Sequence, residues 1–172
     1  HVTPCPALQR PMTPIAGVTP RSAGDGVLLW ALECTFVEGS AAVTNLPRCM
    51  RSLLHLGAPE AASAAAFRVG RAVQDEFFAT MLRIDEFRGL VSREHFQIWA
   101  VKVAGPRTDG RSPHTFLLQN NSANGTSVNG MLLDAPGRHA QIREGDLVGL
   151  GRVVSSSGCM HFVPFIQFRF SL

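Results

Sequence analysis

Charge is scarce in this sequence: Asp, Glu, Lys and Arg make up 17% of it, against 45% hydrophobic residues. A chain this apolar can bury a globular core, and its composition excludes wholesale disorder. No sign of charge dominates either. The formal net charge is +3, the sequence pI is about 9.0, and the basic residues are spread along the chain. That supplies neither the stripe of a nucleic-acid binder nor a membrane-surface helix, so no nucleic-acid partner is expected. No run approaches the roughly 20 apolar residues of a membrane span, and no signal peptide opens the chain. The chain starts at His1 rather than Met, which reads as an excised piece. The four cysteines, Cys5, Cys34, Cys49 and Cys159, form no C-x-x-C pair. No zinc site and no cofactor are expected from them. Free thiols in an intracellular chain, nuclear or cytoplasmic, is the favoured reading, with a disulfide between distant cysteines left open. Missing as well are a P-loop, a dinucleotide fingerprint, an H-E-x-x-H pair and a G-x-S-x-G elbow. Ser92 and His95 lie three residues apart at a loop-to-strand junction, a spacing that does not make them face each other. No enzymatic activity is expected. No solenoid-type repeat is present.

What is present is enough for one domain with extensions in 172 residues. Residues 1–26 are rich in Pro, Thr, Gly and Ala and read as an extended lead-in. They hold Thr3-Pro4, Thr13-Pro14 and Thr19-Pro20, either ordinary linker or proline-directed phosphorylation sites. Residues 27–172 form the domain. Trp30, Leu32, Cys34 and Phe36 alternate with Ala31, Glu33 and Thr35, the signature of a half-buried strand. Asn45 caps a short helix to about Leu56, which Gly57 ends. Ala58 to Ala66 reads as helix or loop. From Phe67 onward short strands follow turns: Phe67–Arg71, Phe77–Ile84, His95–Val103, Thr115–Gln119, Thr126–Val128, Leu147–Leu150 and Phe162–Phe170. Gly105–Pro113 is a loop. In the last strand Ile166, Phe168 and Phe170 oppose Gln167, Arg169 and Ser171. Many short strands and few long helical patterns predict an all-β sandwich or barrel.

Four motifs stand in order after residue 66. They are Gly70-Arg71 at a strand end, Ser92-Arg93-Glu94-His95-Phe96 entering a strand, the run Asn121 to Gly130 (NSANGTSVNG), and Glu144-Gly145-Asp146. Asn124-Gly125 and Asn129-Gly130 are strong turn signals, since both residue types tolerate positive φ. Two such turns so close together suggest a compact rim. Loops held by rigid sheets commonly carry binding. A guanidinium, a hydroxyl and an amide make an anion clamp, and phosphothreonine offers about −1.5 to −2 charges and three acceptor oxygens.

The order G-R, S-x-x-H, S-x-N-G-T-x-x-N-G and G-D resembles the forkhead-associated (FHA) domain. The resemblance covers Phe67 to Leu172, with core motifs over 67–151. Trp30–Val37 looks like the family's first strand, set apart by a short helical insertion. The resemblance implies a β-sandwich of about eleven strands that binds phosphothreonine-containing proteins or peptides through loops at one end. Carried onto this sequence, Arg71 would pair the phosphate and Ser92 would hydrogen-bond it. Arg93 would lie beside the phosphate or the peptide main chain, and Asn124 would hold the peptide backbone. Gly70, His95, Gly125 and Thr126 would shape and brace the loops, and Asn129-Gly130 would turn into the next strand. Two departures stand out. Ala123 occupies a position where many relatives carry Ser or Thr, so one phosphate hydrogen bond is missing. The stretch from Arg71 to Ser92 is longer than usual and carries Phe77-Phe78. Leu90, two residues before Ser92, hints at an aliphatic preference three residues after the phosphothreonine.

Each residue also has a plainer reading. Arg71 alone would be a surface residue at a strand end, Ser92 a turn former and Arg93 a salt-bridge partner. Asn124 could be only a positive-φ turn residue, a role compatible with the functional one. His95, beside Phe96, Ile98 and Trp99, reads as a buried, hydrogen-bonded histidine rather than a base. N-N-S and N-G-T match glycosylation acceptors by chance. A phosphate-independent interaction or dimerisation module on the same fold is the competing function. A third reading is self-association through a phosphorylated Thr-Pro of the lead-in.

Overall fold

Period-two sequence builds the strands that line the core. In β1 (Leu28–Val37) Trp30, Leu32 and Cys34 are buried, and in β10 (Cys159–Ser171) so are Ile166, Phe168 and Phe170. The two strands pair antiparallel, with Leu32 opposite Phe170 and Cys34 opposite Phe168. The protein is seen here as a computed structural model, which describes residues 28–40, 43–57, 66–102, 114–156 and 159–172. The lead-in, its Thr-Pro pairs, Cys5, the Gly105–Pro113 loop and nearly all of Ala58–Ala66 lie outside the described residues.

The other strands are β2 (Ser52–Gly57), β3 (Phe67–Val69), β4 (Phe96–Lys102), β5 (His114–Asn120), β6 (Thr126–Val128), β7 (Met131–Leu133), β8 (His139–Ile142) and β9 (Leu147–Ser156). They form two antiparallel sheets, one in the order β2-β1-β10-β9-β6-β7 and the other β3-β4-β5-β8. The chain is therefore the all-β sandwich that the sequence predicts, with ten strands among the described residues. Its core lies between the sheets. Val148 and Leu150 join β1 and β10 from one side; Val69, Phe96, Ile98, Phe116, Leu118 and Ile142 come from the other. Phe116 and Phe170 meet across the layers at 5.1 Å, and Trp30 meets Phe67 edge-on at 5.0 Å. Burial of this kind is worth about 25 cal/mol per Å² of apolar surface and is what holds the two layers together. Cys34, Cys49 and Cys159 are free, and burial pushes the Cys34 thiol up to about 12.

Several local expectations are corrected. The register slips between Cys34 and Phe36, a β-bulge that turns Phe36 outward to 41% exposure and sends Val37 inward instead. The helix expected from Asn45 to about Leu56 is two single 3-10 turns, Val43–Asn45 and Arg48–Met50, followed by β2. β2 wins because pairing with β1 buries Leu53 and satisfies its backbone, which an isolated short helix would not do. The strand expected over Phe77–Ile84 is helical. Helix α1 (Asp75–Met81) carries Asp75 and Glu76 in its first turn and buries Phe78 and Met81, one turn apart; helix α2 (Asp85–Leu90) buries Phe87. β2, β7 and β8 have no counterpart among the expected strands.

Candidate functional site

Three connections meet at one end of the sandwich: 70–95 between β3 and β4, 121–125 between β5 and β6, and 134–138 between β7 and β8. Main-chain bonds join them. Arg71 N–H donates to the Ser92 carbonyl at 3.0 Å, Ala72 N–H to Arg93 at 3.0 Å, Asn121 N–H to His95 at 2.8 Å and Gly137 N–H to Asn120 at 2.7 Å. Gly70 makes the first contact possible. A Cβ at this position would stand 2.3 Å from the Arg93 carbonyl oxygen, so only glycine lets the two main chains run against each other.

His95 pins the second junction. It is fully buried. The Ser92 N–H donates to its Nδ1 at 3.1 Å, which fixes the proton on Nε2, and Nε2–H donates to the Gly125 carbonyl at 3.0 Å. Burial lowers its pKa to about 4, a shift the bond to Gly125 partly opposes. Both ring nitrogens are occupied by main-chain atoms, so His95 is a strut and not a base for the Ser92 hydroxyl. In this turn the positive φ expected at Asn124 falls on Gly125 instead; Gly125 needs glycine, with φ at +78° and Leu132 Cδ1 2.8 Å from where a Cβ would be.

The Asn124 amide nitrogen donates to the Leu90 carbonyl at 2.7 Å. This bond sets the orientation of the amide and joins the end of α2 to the 121–125 turn. Its second amide hydrogen and its oxygen have no partner among the described residues. Leu90 ends α2, with its half-buried side chain packed against the core. Ser92 is half-buried, and its hydroxyl lies 2.7 Å from the hydroxyl of Ser122. Arg71 is partly exposed. Its guanidinium makes no hydrogen bond or ion pair among the described residues, and its Nε is buried without a partner. Arg93 is exposed with no ion pair among the described residues, and Ala123 is exposed at the tip of the turn.

Sequence reading assigned no role to two residues here. Asn120 and Ser122 are buried polar groups. The Asn120 amide donates to the carbonyls of Ser122 (2.9 Å) and Leu133 (3.0 Å), while its oxygen accepts from Ser122 N–H (3.1 Å) and the Thr126 hydroxyl (2.9 Å). The amide is thus fully used, and Thr126 braces the loop through it. The available signals were a polar Asn-Asn-Ser run directly after an alternating strand and, for Ser122, its place at the head of the S-x-N-G-T motif. Asn120 is also the acceptor of the N-N-S glycosylation match, and its burial removes it from that chemistry.

The Asn129-Gly130 turn does not share this rim. It lies at the far end of β6, where both residues take positive φ (51° and 82°), as a tight hairpin into β7 requires. There Asn129 accepts from Leu147 N–H and donates to Asp146, whose other oxygen takes Arg143 N–H. The Glu144-Gly145-Asp146 motif is the turn at that same remote end, so it braces the fold and touches no loop of the candidate site.

The fold and this loop cluster define a β-sandwich that presents polar loops at one end, among them a guanidinium with no partner among the described residues. Residues 67–151 match the family model of the FHA domain. This part of the chain is an FHA domain, an interaction module, and β1, β2 and β10 complete its first sheet from outside the matched residues. Among solved structures, the chain is similar to a crystal structure of the MEK1 FHA domain at 18% identity. That match has a TM-score of 0.45 and covers 83% of this chain and 88% of that one. It is also similar to the MEK1 FHA domain in complex with a HOP1 phosphothreonine peptide. The identity there is 20%, the TM-score 0.38, and the coverage 64% of this chain and 82% of that one. No curated protein matches.

Proposed function

We propose that this chain is a phosphothreonine-dependent, non-catalytic protein–protein interaction module, and that Arg71, Ser92, Arg93 and Asn124 receive the phosphopeptide. The observation that carries the reading is the Arg71 guanidinium, unpaired among the described residues and with its Nε buried. A buried donor without a partner costs about 1–3 kcal/mol. A dianionic phosphate would relieve that cost and add charge-assisted bonds. Arg71 is joined through its own main chain to Ser92, whose hydroxyl supplies a further donor. The free hydrogen and oxygen of the Asn124 amide are suited to a peptide main chain. A rigid cleft for one methyl group favours phosphothreonine over phosphoserine by about 1–3 kcal/mol. Leu90, with part of its side chain accessible, lends itself to an aliphatic residue further along the peptide. An intracellular setting, nuclear or cytoplasmic, belongs to the same proposal.

The test is peptide binding. A degenerate phosphothreonine peptide pool is to be retained by the parent and its unphosphorylated counterpart is not. Arg71→Ala is expected to cost about 2–5 kcal/mol. Parent-level affinity in that variant would remove Arg71 from the site.

A second reading is favoured by a different observation. On the β9–β10 ribbon Val153 and Met160 are 45% and 69% exposed, apolar surface suited to a phosphate-independent partner or a second copy. Equal binding of phosphorylated and unphosphorylated partner would support it. Self-association through a phosphorylated Thr-Pro of the lead-in would instead appear as a mass that falls after phosphatase treatment.

A further inference from the structure

The two hydroxyls at the mouth of the site are not equivalent, and their burial decides which of them donates. Ser122 is 1% exposed, whereas Ser92 is half-buried at the rim. A hydroxyl has one proton to give and two lone pairs to receive. One lone pair of Ser122 Oγ already accepts the Asn124 N–H at 3.1 Å. The Ser122 main chain is held on both sides by Asn120, so the residue cannot swing away. Its proton has one oxygen acceptor in reach among the described residues, Ser92 Oγ at 2.7 Å. If Ser92 donated inward, the Ser122 proton would be buried with no acceptor, a state that folded proteins avoid.

We infer that Ser122 is a positioning residue for the ligand: it donates to Ser92 Oγ and thereby leaves the Ser92 proton to be given outward to an anionic oxygen. The hydrogen bonds then run in one direction, from Asn124 N–H to Ser122, from Ser122 to Ser92, and from Ser92 to the ligand. Each bond in such a chain polarises the next, so Ser92 becomes a stronger donor. A ligand oxygen that carries its own proton, such as an unmodified threonine hydroxyl, gains less from it. The inference rests on the phosphothreonine reading, but it makes a separate claim about direction.

The experiment is a double-mutant cycle on the full chain. It uses the tightest sequence recovered from a degenerate phosphothreonine peptide pool, with the unphosphorylated peptide as control. Ser122→Ala is expected to weaken phosphopeptide binding about fivefold. In the Ser92→Ala background the same change is expected to cost less than about twofold. Losses that multiply independently would overturn the inference and leave the phosphothreonine reading standing. A parent that does not distinguish the two peptides would overturn both. A second readout needs neither ligand nor variant. In the free protein, NMR is expected to show a slowly exchanging hydroxyl proton assigned to Ser122, with cross-peaks to the Ser92 side chain. A slow proton belonging to Ser92 instead would reverse the direction and sink the claim.

Discussion

His95 keeps its one ring proton on Nε2 and leaves Nδ1 bare, and the two atoms hold different loops. An unfolded histidine titrates near 6.5, whereas burial lowers folded His95 to about 4. Between those values the unfolded chain binds a proton that the folded chain refuses. The contribution of His95 to stability is therefore full above pH 6.5, declines as pH falls toward 4, and is flat below that. The interval corresponds to about 3 kcal/mol. Urea unfolding between pH 7.5 and 4 is expected to follow this decline, and the imidazole NMR shifts are expected to report a neutral ring at pH 5.5. A midpoint near 6.5 would contradict the buried clamp. Gly70 and Ala123 make two further residue-scale cases. Gly70→Ala brings a methyl against the Arg93 carbonyl and is expected to lose about 3 kcal/mol in unfolding. Ala123→Thr adds a hydroxyl at the exposed tip of the turn and is expected to tighten phosphopeptide binding by about 1 kcal/mol. Calorimetric titration measures the latter, and an unchanged affinity would place residue 123 outside the ligand's reach.

Among the elements, the helical pair α1–α2 bears most on the site, since α2 ends at the carbonyl that orients Asn124. It is fastened to the sandwich at several points. Phe87 stacks on Phe165 at 5.4 Å, Arg152 lies over the Phe87 ring at 4.9 Å, and Arg152 pairs with Glu38 at 3.2 Å. Phe77 packs on Phe168. Phe87→Ala is expected to cost about 3–5 kcal/mol in stability and also to weaken peptide binding at temperatures where the protein stays folded. Lost stability with intact binding would show that the helical pair does not support the loop. These two helices escaped sequence reading for a physical reason. Helices of seven and six residues are too short to show a period, and the adjacent aromatics Phe77-Phe78 favour a strand by propensity alone. Asp75 and Glu76 at the first turn were the readable counter-signal. β2 was hidden in the opposite way, since consecutive Leu53 and Leu54 mask an alternation that pairing with β1 makes plain. By contrast, Trp30 to Cys34 and Ile166 to Phe170 were legible because their period survives intact on both faces. The roles of Asn120 and Ser122 were illegible because a buried polar network leaves no spacing rule along the chain.

At the scale of the molecule, the residues that match the family model stop short of the sandwich. β10 lies between β1 and β9 and carries Phe165, Ile166, Phe168 and Phe170, all buried. A fragment of residues 67–151 is expected to remain unfolded by circular dichroism and to bind no phosphopeptide, whereas 28–172 is expected to fold cooperatively. A folded 67–151 would mean that the second sheet and its loops stand alone.

The place of β10 also sets an order of events during synthesis. Leu32 faces Phe170 across a single rung of the sheet, although nearly the whole domain separates them along the chain. At about 5–20 residues per second, a ribosome takes roughly 7 to 28 seconds to make what lies between. Throughout that interval the aromatic face of β1 has only β2 beside it, and the edge meant for β10 is open. A nascent chain of this protein therefore leaves one edge of β1 unzipped until β10 has been made.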